Sequence, residues 1–277
     1  MMNDVWQQFA RRRPAAIALL ILIAYLMAAI FGPILAPYDP LQISAVGISA
    51  PSATHWLGTD QLGRDVFSRL LYGARSSLLV ACVSVGFALI VGTSLGLLAG
   101  YFGAWVDTAI SRLTDVMFAL PDVLLALVIM AVLGQGLSSV ALAIGIVYTP
   151  IFARVCRGAV LRVRKLIYVE AAQALGVRDR AILYRHILPN ILPPLIVQTT
   201  LSFAFAILAE ATLSFLGLSG EADAPLWGLM LRQGKDVMHL GWWLAIFPGL
   251  AITSIVLCFN LLGDGLQAWL DPRQARN

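Results

Sequence analysis

GTDQLGRD, residues 58–65, has the outline of a phosphate-binding loop: a glycine, four residues, a second glycine and then a basic side chain. Nucleotide chemistry needs Lys followed by Ser or Thr at that point, the amine for the terminal phosphates and the hydroxyl for magnesium. This chain has Arg64 and Asp65 instead. A carboxylate there repels the anion that a cradle of backbone N–H groups attracts. The preceding APYDPLQISAVGISAPSATHW also holds no strong strand, which a phosphate loop requires.

Other chemistry fares no better. There is no HExxH. Cys82, Cys156 and Cys258 lie far apart, each in or beside an apolar run, and read as packing residues. His55, His186 and His239 are scattered. No metal and no cofactor is expected. One carboxylate stands out: Glu210, within FAFAILAEATLSF.

Composition defines the setting of these residues. The chain of 277 residues is 60% hydrophobic and 12% charged, with a mean hydropathy of +0.84. Soluble domains carry roughly 25% charged residues, and half that amount leaves too little polar surface to cover a fold. An all-α, polytopic membrane protein is implied. The net charge of +4 does not point to nucleic acid, because in a membrane protein the positions of the basic residues outweigh their sum.

Residues 15–36 are uncharged over 22 positions, enough for a retained membrane anchor. A second span is expected at about 77–100. Val123–Ala153 is uncharged for 31 residues, too long for one helix, and LGQGLSS at 133–139 is a turn signal. Two spans fit if the first begins near Thr114, with Asp115, Pro121 and Asp122 at its cytoplasmic end. A fifth span covers about Ile191–Leu218 and a sixth about Trp242–Leu262. With six spans and a cytoplasmic N-terminus after which Arg11, Arg12 and Arg13 precede the anchor, 14 of the 19 Lys and Arg residues lie inside. Merging the third and fourth spans would put a block of eight outside, against the positive-inside rule. Both termini are therefore expected in the cytoplasm. Asp39 and Asp264 then fall at opposite membrane faces, ~30 Å apart, and make no aspartyl-protease dyad.

The implied organisation is an anchor with an outer amphipathic loop (1–76), a core (77–270) and a cytoplasmic tail (271–277). GTDQLGRD falls in the outer loop. There Thr59 or Asp60 is expected to cap a helix lying at the membrane surface, with Asp65 and Arg69 as an i,i+4 pair. Glu210 lies about two-thirds of the way out along the fifth span. A carboxylate there costs ~2.5–3.5 kcal/mol to insert and faces protein or water. Ala206 and Ser214 leave room beside it. An interhelical hydrogen bond that locks the bundle and a pathway or gate residue both fit.

The largest inner loop, at about 158–189, contains EAAQALG, nine residues, then HILP. Glu170, Ala171 and Ala172 form a small-residue patch. Gly176 permits a φ > 0 turn. Asp179 is placed to cap a second helix that ends before Pro189.

This loop resembles the EAA loop of ABC importer permeases, EAA-x3-G-x9-I-x-L-P. Glu170, Ala171, Ala172, Gly176, Leu188 and Pro189 fall at its motif positions, while His186 stands where the broad consensus has Ile. HWLGTDQLGRDVFSRLLYGARSSL, EATLSFLGL, LWGLML, WWLAIFPGLAI and FNLLGDGLQAWLDPR are similar to segments of the C-type subunit of the dipeptide/oligopeptide/nickel permease family. The resemblance implies a type I importer (MetI-like) fold in the bacterial cytoplasmic membrane. It implies a second homologous permease, two cytoplasmic ATP-binding subunits and an extracytoplasmic solute-binding protein as partners, besides membrane lipid. The EAA loop would couple to the ATPase. The solute would be a dipeptide, an oligopeptide or, alternatively, a nickel or metal chelate. A self-sufficient secondary transporter or channel is the alternative of a different class; such proteins often show internal repeats, and no clear repeat is visible here.

Overall fold

The computed structural model describes residues 13–220 and 223–270. Arg11, Arg12 and the tail at 271–277 lie outside the described residues. The described chain folds as α1 (Arg13–Leu35), α2 (Val66–Phe102), α3 (Ala104–Phe118), α4 (Asp122–Leu133), α5 (Leu137–Val163), α6 (Ile167–Ala174), α7 (Asp179–Phe215), α8 (Trp227–Asp236) and α9 (Trp243–Leu270). Five of these, α1, α2, α5, α7 and α9, are long and apolar enough to cross a membrane, and α3 with α4, bent by 98° at their break, gives a sixth if the pair is counted as one span.

Helices α2 and α5 share the most extensive interface. Its cause is a run of glycines one turn apart. A Cβ on Gly92 would sit 2.5 Å from the Thr149 carbonyl oxygen, on Gly96 2.5 Å from that of Ala153, and on Gly100 2.7 Å from Val160 Cβ. Small residues at this spacing let two membrane helices approach backbone to backbone, where dispersion drives association. Ser84 Oγ adds a bond to the Ala141 carbonyl at 2.9 Å. Helix α1 is fixed to α9 by the Tyr25 and Ser254 hydroxyls, 2.6 Å apart. Trp227, fully buried on α8, donates its indole N–H to the Leu70 carbonyl of α2 at 3.0 Å.

Three local expectations are corrected. No separate surface helix precedes the second span: the segment from Val66 is the first part of one continuous 37-residue helix. The cap of that helix is Asp65, which accepts from Ser68 N and Ser68 Oγ, both at 2.8 Å, and not Thr59 or Asp60. The third span is not a single helix from Thr114. It breaks at Ala119–Pro121, where Pro121 cannot donate an N–H, and Asp122 opens α4 at the break. Asp107 and Asp115 on α3 pair with Arg157 and Arg154 on α5, and the Arg154 guanidinium lies over the Phe118 ring at 4.0 Å.

GTDQLGRD is a clasp for the loop that contains it. Arg64 and Arg69 are 3% and 1% exposed, although both are cations. Arg64 Nε donates to Asp60 Oδ2 at 2.7 Å and its Nη1 to Asp223 Oδ1 at 2.8 Å. Arg69 donates to the carbonyls of Pro40, Asp223 and Ala224. The expected Asp65–Arg69 side-chain pair does not form, because Asp65 turns to His55 Nδ1 at 3.0 Å and to Ser68. The resemblance to a phosphate loop reduces to glycines at two turns, Gly58 and Gly63, both with positive φ. Its charges are paired or hydrogen-bonded within the same chain, which is the condition for burying ions.

Candidate functional site

Helix α6 and the turn after it stand at the end of α2 and α5 as a small protruding body. The helix ends in a paired turn: Gly176 N donates to the Gln173 carbonyl and Val177 N to the Ala172 carbonyl, at 3.0 and 3.1 Å. This Schellman arrangement needs a residue in the left-handed region. Gly176 supplies it with φ of 72°, as its sequence position implied.

One face of α6 is internal. Val169 is 0% exposed and Ala172 6%, three residues apart on one side, and both join the core. The other face is free. Glu170 and Ala171 are exposed, flanked by Ile167 at 85% and Leu175 at 83%. An acidic group between two bare aliphatic side chains is a surface that a partner's groove could cover.

The protrusion is braced. The Tyr101 hydroxyl, at the end of α2, donates to Asp179 Oδ1 at 2.6 Å and lies 3.5 Å from Gln173 Nε2. Arg164 Nη1 donates to the last carbonyls of α2, Gly100 at 2.9 Å and Tyr101 at 3.3 Å. A cation at a helix C-terminus also satisfies its dipole. Tyr168 Oη donates to the His186 carbonyl at 3.2 Å. Asp179 was expected to cap α7 but is its first residue and is engaged by Tyr101, while Arg178 stands at the N-cap without a side-chain bond.

The expected end of a helix before Pro189 is also overturned. Helix α7 runs without a break from Asp179 to Phe215. The means is a π-helical stretch, Ile182–Ile187, in which Leu188 N bonds back five residues to the Leu183 carbonyl. The wider turn leaves room for the Pro189 ring, which clashes with an ordinary helical turn. Asn190 Nδ2 satisfies the His186 carbonyl at 2.7 Å. Leu188 and Pro189 therefore belong to the spanning helix and do not share the exposed face of Glu170 and Ala171. Leu188 lines an apolar groove of about 410 Å³ between α2 and α7.

Glu210, at the far end of α7, is 0% exposed. Its Oε2 accepts from Ser77 Oγ of α2 at 2.8 Å and its Oε1 from Ser214 Oγ at 2.7 Å. Each oxygen thus has a hydroxyl donor, and one bond crosses between helices. Ser77 could not be paired with Glu210 from sequence, since 133 residues separate them. Tyr101, Arg164 and Tyr168 were missed for the same reason. The glycine spacing at 92, 96 and 100, by contrast, is a local signal of close helix approach.

Comparison with known proteins agrees with this architecture. Residues 92–276 match the family model for the binding-protein-dependent transport system inner membrane component, and residues 1–51 match that for the N-terminal TM domain of oligopeptide transport permease C. The chain is 44% identical over 272 residues to the dipeptide transport system permease protein DppC of Alkalihalophilus pseudofirmus, covering 98% of this chain and 90% of the relative. It is 42% identical over 273 residues to the glutathione transport system permease protein GsiD of Pectobacterium atrosepticum, covering 98% and 91%. Among solved structures, the inward-facing MetNI methionine ABC transporter aligns with a TM-score of 0.60 at 18% identity, over 73% of this chain and 96% of that one. That likeness speaks for the fold alone. From full-length kinship to permeases, the helical membrane architecture and the family match across the core, the chain belongs to the inner-membrane permeases of binding-protein-dependent ABC importers.

Proposed function

We propose that this chain is one of two homologous permeases that together form an inward path for dipeptides or related small peptides. Two cytoplasmic ATP-binding subunits hydrolyse ATP on its behalf, and an extracytoplasmic binding protein delivers the solute. The names of the relatives support a peptide cargo. Orientation follows from charge: with both termini inside, the basic block around α6 and α7 lies in the cytoplasm. A periplasm-active reporter fused after Arg178 should be silent and one fused after Asp60 active; the reverse pattern would overturn the orientation.

The observation that carries the coupling role is the exposed face of α6 on a braced body. Glu170 and Ala171 meet the ATP-binding subunit, with Glu170 fixing register through charge-assisted hydrogen bonds and Ala171 allowing close contact. Ala172 holds the helix to its own chain, and Gly176 sets its angle. A displacement of α6 passes through the π-helical stretch into α7, in which Leu188 and Pro189 are the first residues beyond it. Glu210 acts as a lock between α2 and α7 near the opposite membrane face. Its complete burial supports that role over a gate exposed to the path.

Gly176→Val tests the coupling. No atom lies within 4 Å of a Cβ built there, so steric collision is removed as a cause. What remains is the left-handed backbone, a strain of ~1–3 kcal/mol for a β-branched residue. The variant should insert normally yet lose ATPase attachment or solute-driven ATP hydrolysis. Gly176→Asn, whose side chain tolerates this conformation, should keep both. Transport at the wild-type rate by Gly176→Val would remove the coupling role.

A further inference from the structure

Another carboxylate on the membrane helices, unlike Glu210, has no partner. Asp122 opens α4 at the break of the bent span. It is exposed, and among the described residues it makes no hydrogen bond or ion pair. It lines a cavity of about 150 Å³ together with Tyr148 of α5 and with Phe205 and Thr212 of α7. That space holds several waters, room for one end of a small solute.

The depth of this cavity follows from helix geometry. Asp122 lies 11 residues before Leu133 and Tyr148 11 residues after Leu137, and the turn between those helices contacts the end of α7 through Gly136 N and the Leu218 carbonyl at 3.3 Å. At 1.5 Å per residue both side chains sit ~16 Å from that turn, close to half of a ~30 Å hydrocarbon core. The cytoplasmic-end placement expected from sequence assumed a straight helix. With the break, Asp122 is carried to the middle of the bundle. Interrupted helices at midplane are where membrane transporters place polar groups against a solute, and an ionisable side chain there is rare and costly unless used.

The lining selects a charge. No Lys or Arg lines the cavity. Asp122 offers an anionic acceptor, and the Tyr148 and Phe205 rings offer π faces that attract cations. We propose that Asp122 is a midplane contact for the protonated amino group of the passing solute, with Tyr148 and Phe205 as the walls of its site. This assignment rests on the proposed role as a solute pathway and names one group that the pathway recognises.

The test uses the assembled transporter, with partner permease, ATP-binding subunits and binding protein, in proteoliposomes. Dicyclohexylcarbodiimide labels carboxyl groups in apolar, accessible sites through their protonated form, so labelling is run at mildly acidic pH over long exposure, and peptide mapping locates the label. Asp122 should be labelled and Glu210 should not. Methylammonium ions should slow the labelling of Asp122 severalfold, and equal methanol should not. Asp122→Asn should lower ATP-driven uptake of alanyl-alanine about tenfold while the complex still assembles with an unchanged thermal midpoint; Asp122→Glu should restore most of the uptake. Absence of label on Asp122, equal labelling in methylammonium and methanol, or wild-type uptake by Asp122→Asn would each overturn the site. If the wild-type complex imports no alanyl-alanine yet methylammonium still protects Asp122, the cation site stands and the peptide cargo fails.

Discussion

Glu210 and Asp122 are two carboxylates on helices of one bundle, and the chain treats them in opposite ways. Glu210 is sealed, with a hydroxyl donor on each oxygen. Asp122 faces a cavity with no donor from the described residues. Burial of a polar group is costly unless bonds replace its water, so the partners of Glu210 are what allow it to be buried. Asp122 avoids that cost by keeping access to the cavity. The contrast separates a group that holds helices together from one left available to a passing ion.

Removal of each side chain should therefore act on different properties. Glu210→Ala deletes two buried hydrogen bonds, each worth about 0.5–1.5 kcal/mol, and leaves a cavity and two unpartnered hydroxyls. It should destabilise the assembled complex by about 3 kcal/mol, read as a lowered thermal midpoint in detergent. Asp122→Ala should stay within about 0.5 kcal/mol of wild type, as substitutions away from packed or bonded features do. Equal losses would erase the distinction, and a stable Glu210→Ala with altered transport would return Glu210 to the gate role.

A smaller effect divides the two hydroxyls. Ser214 lies four residues from Glu210 on the same helix, while Ser77 reaches from α2. Ser77→Ala should cost about 1.5 kcal/mol, because it removes the bond that joins two helices. Ser214→Ala should cost about 1 kcal/mol, less than Ser77→Ala because the bond it removes lies within one helix. Thermal midpoints in the reverse order would show that the lock is local to α7.

Much of this protein was legible without coordinates. Apolar runs about 20 residues long can satisfy their backbone in lipid only as helices, so the spans near 15–36 and 242–262 emerged close to their observed places, while that near 191–218 matched only the later part of α7. EAAQALG marked the protruding body, and Gly176 marked its turn, because both signals are local and backbone-determined. The tertiary structure decided what depends on residues distant in sequence. Asp65 took the cap because His55 and Ser68 gather around it; Arg64 and Arg69 could be buried because Asp60, Asp223 and loop carbonyls converge on them. Pro189 looked like a stop, yet the π-helical stretch absorbs it and carries α6 onto a spanning helix. The sequence could place Glu210 in the membrane and Asp122 at the cytoplasmic end of its span, but only packing could seal one between two serines and turn the other, at a break in its span, towards an open cavity.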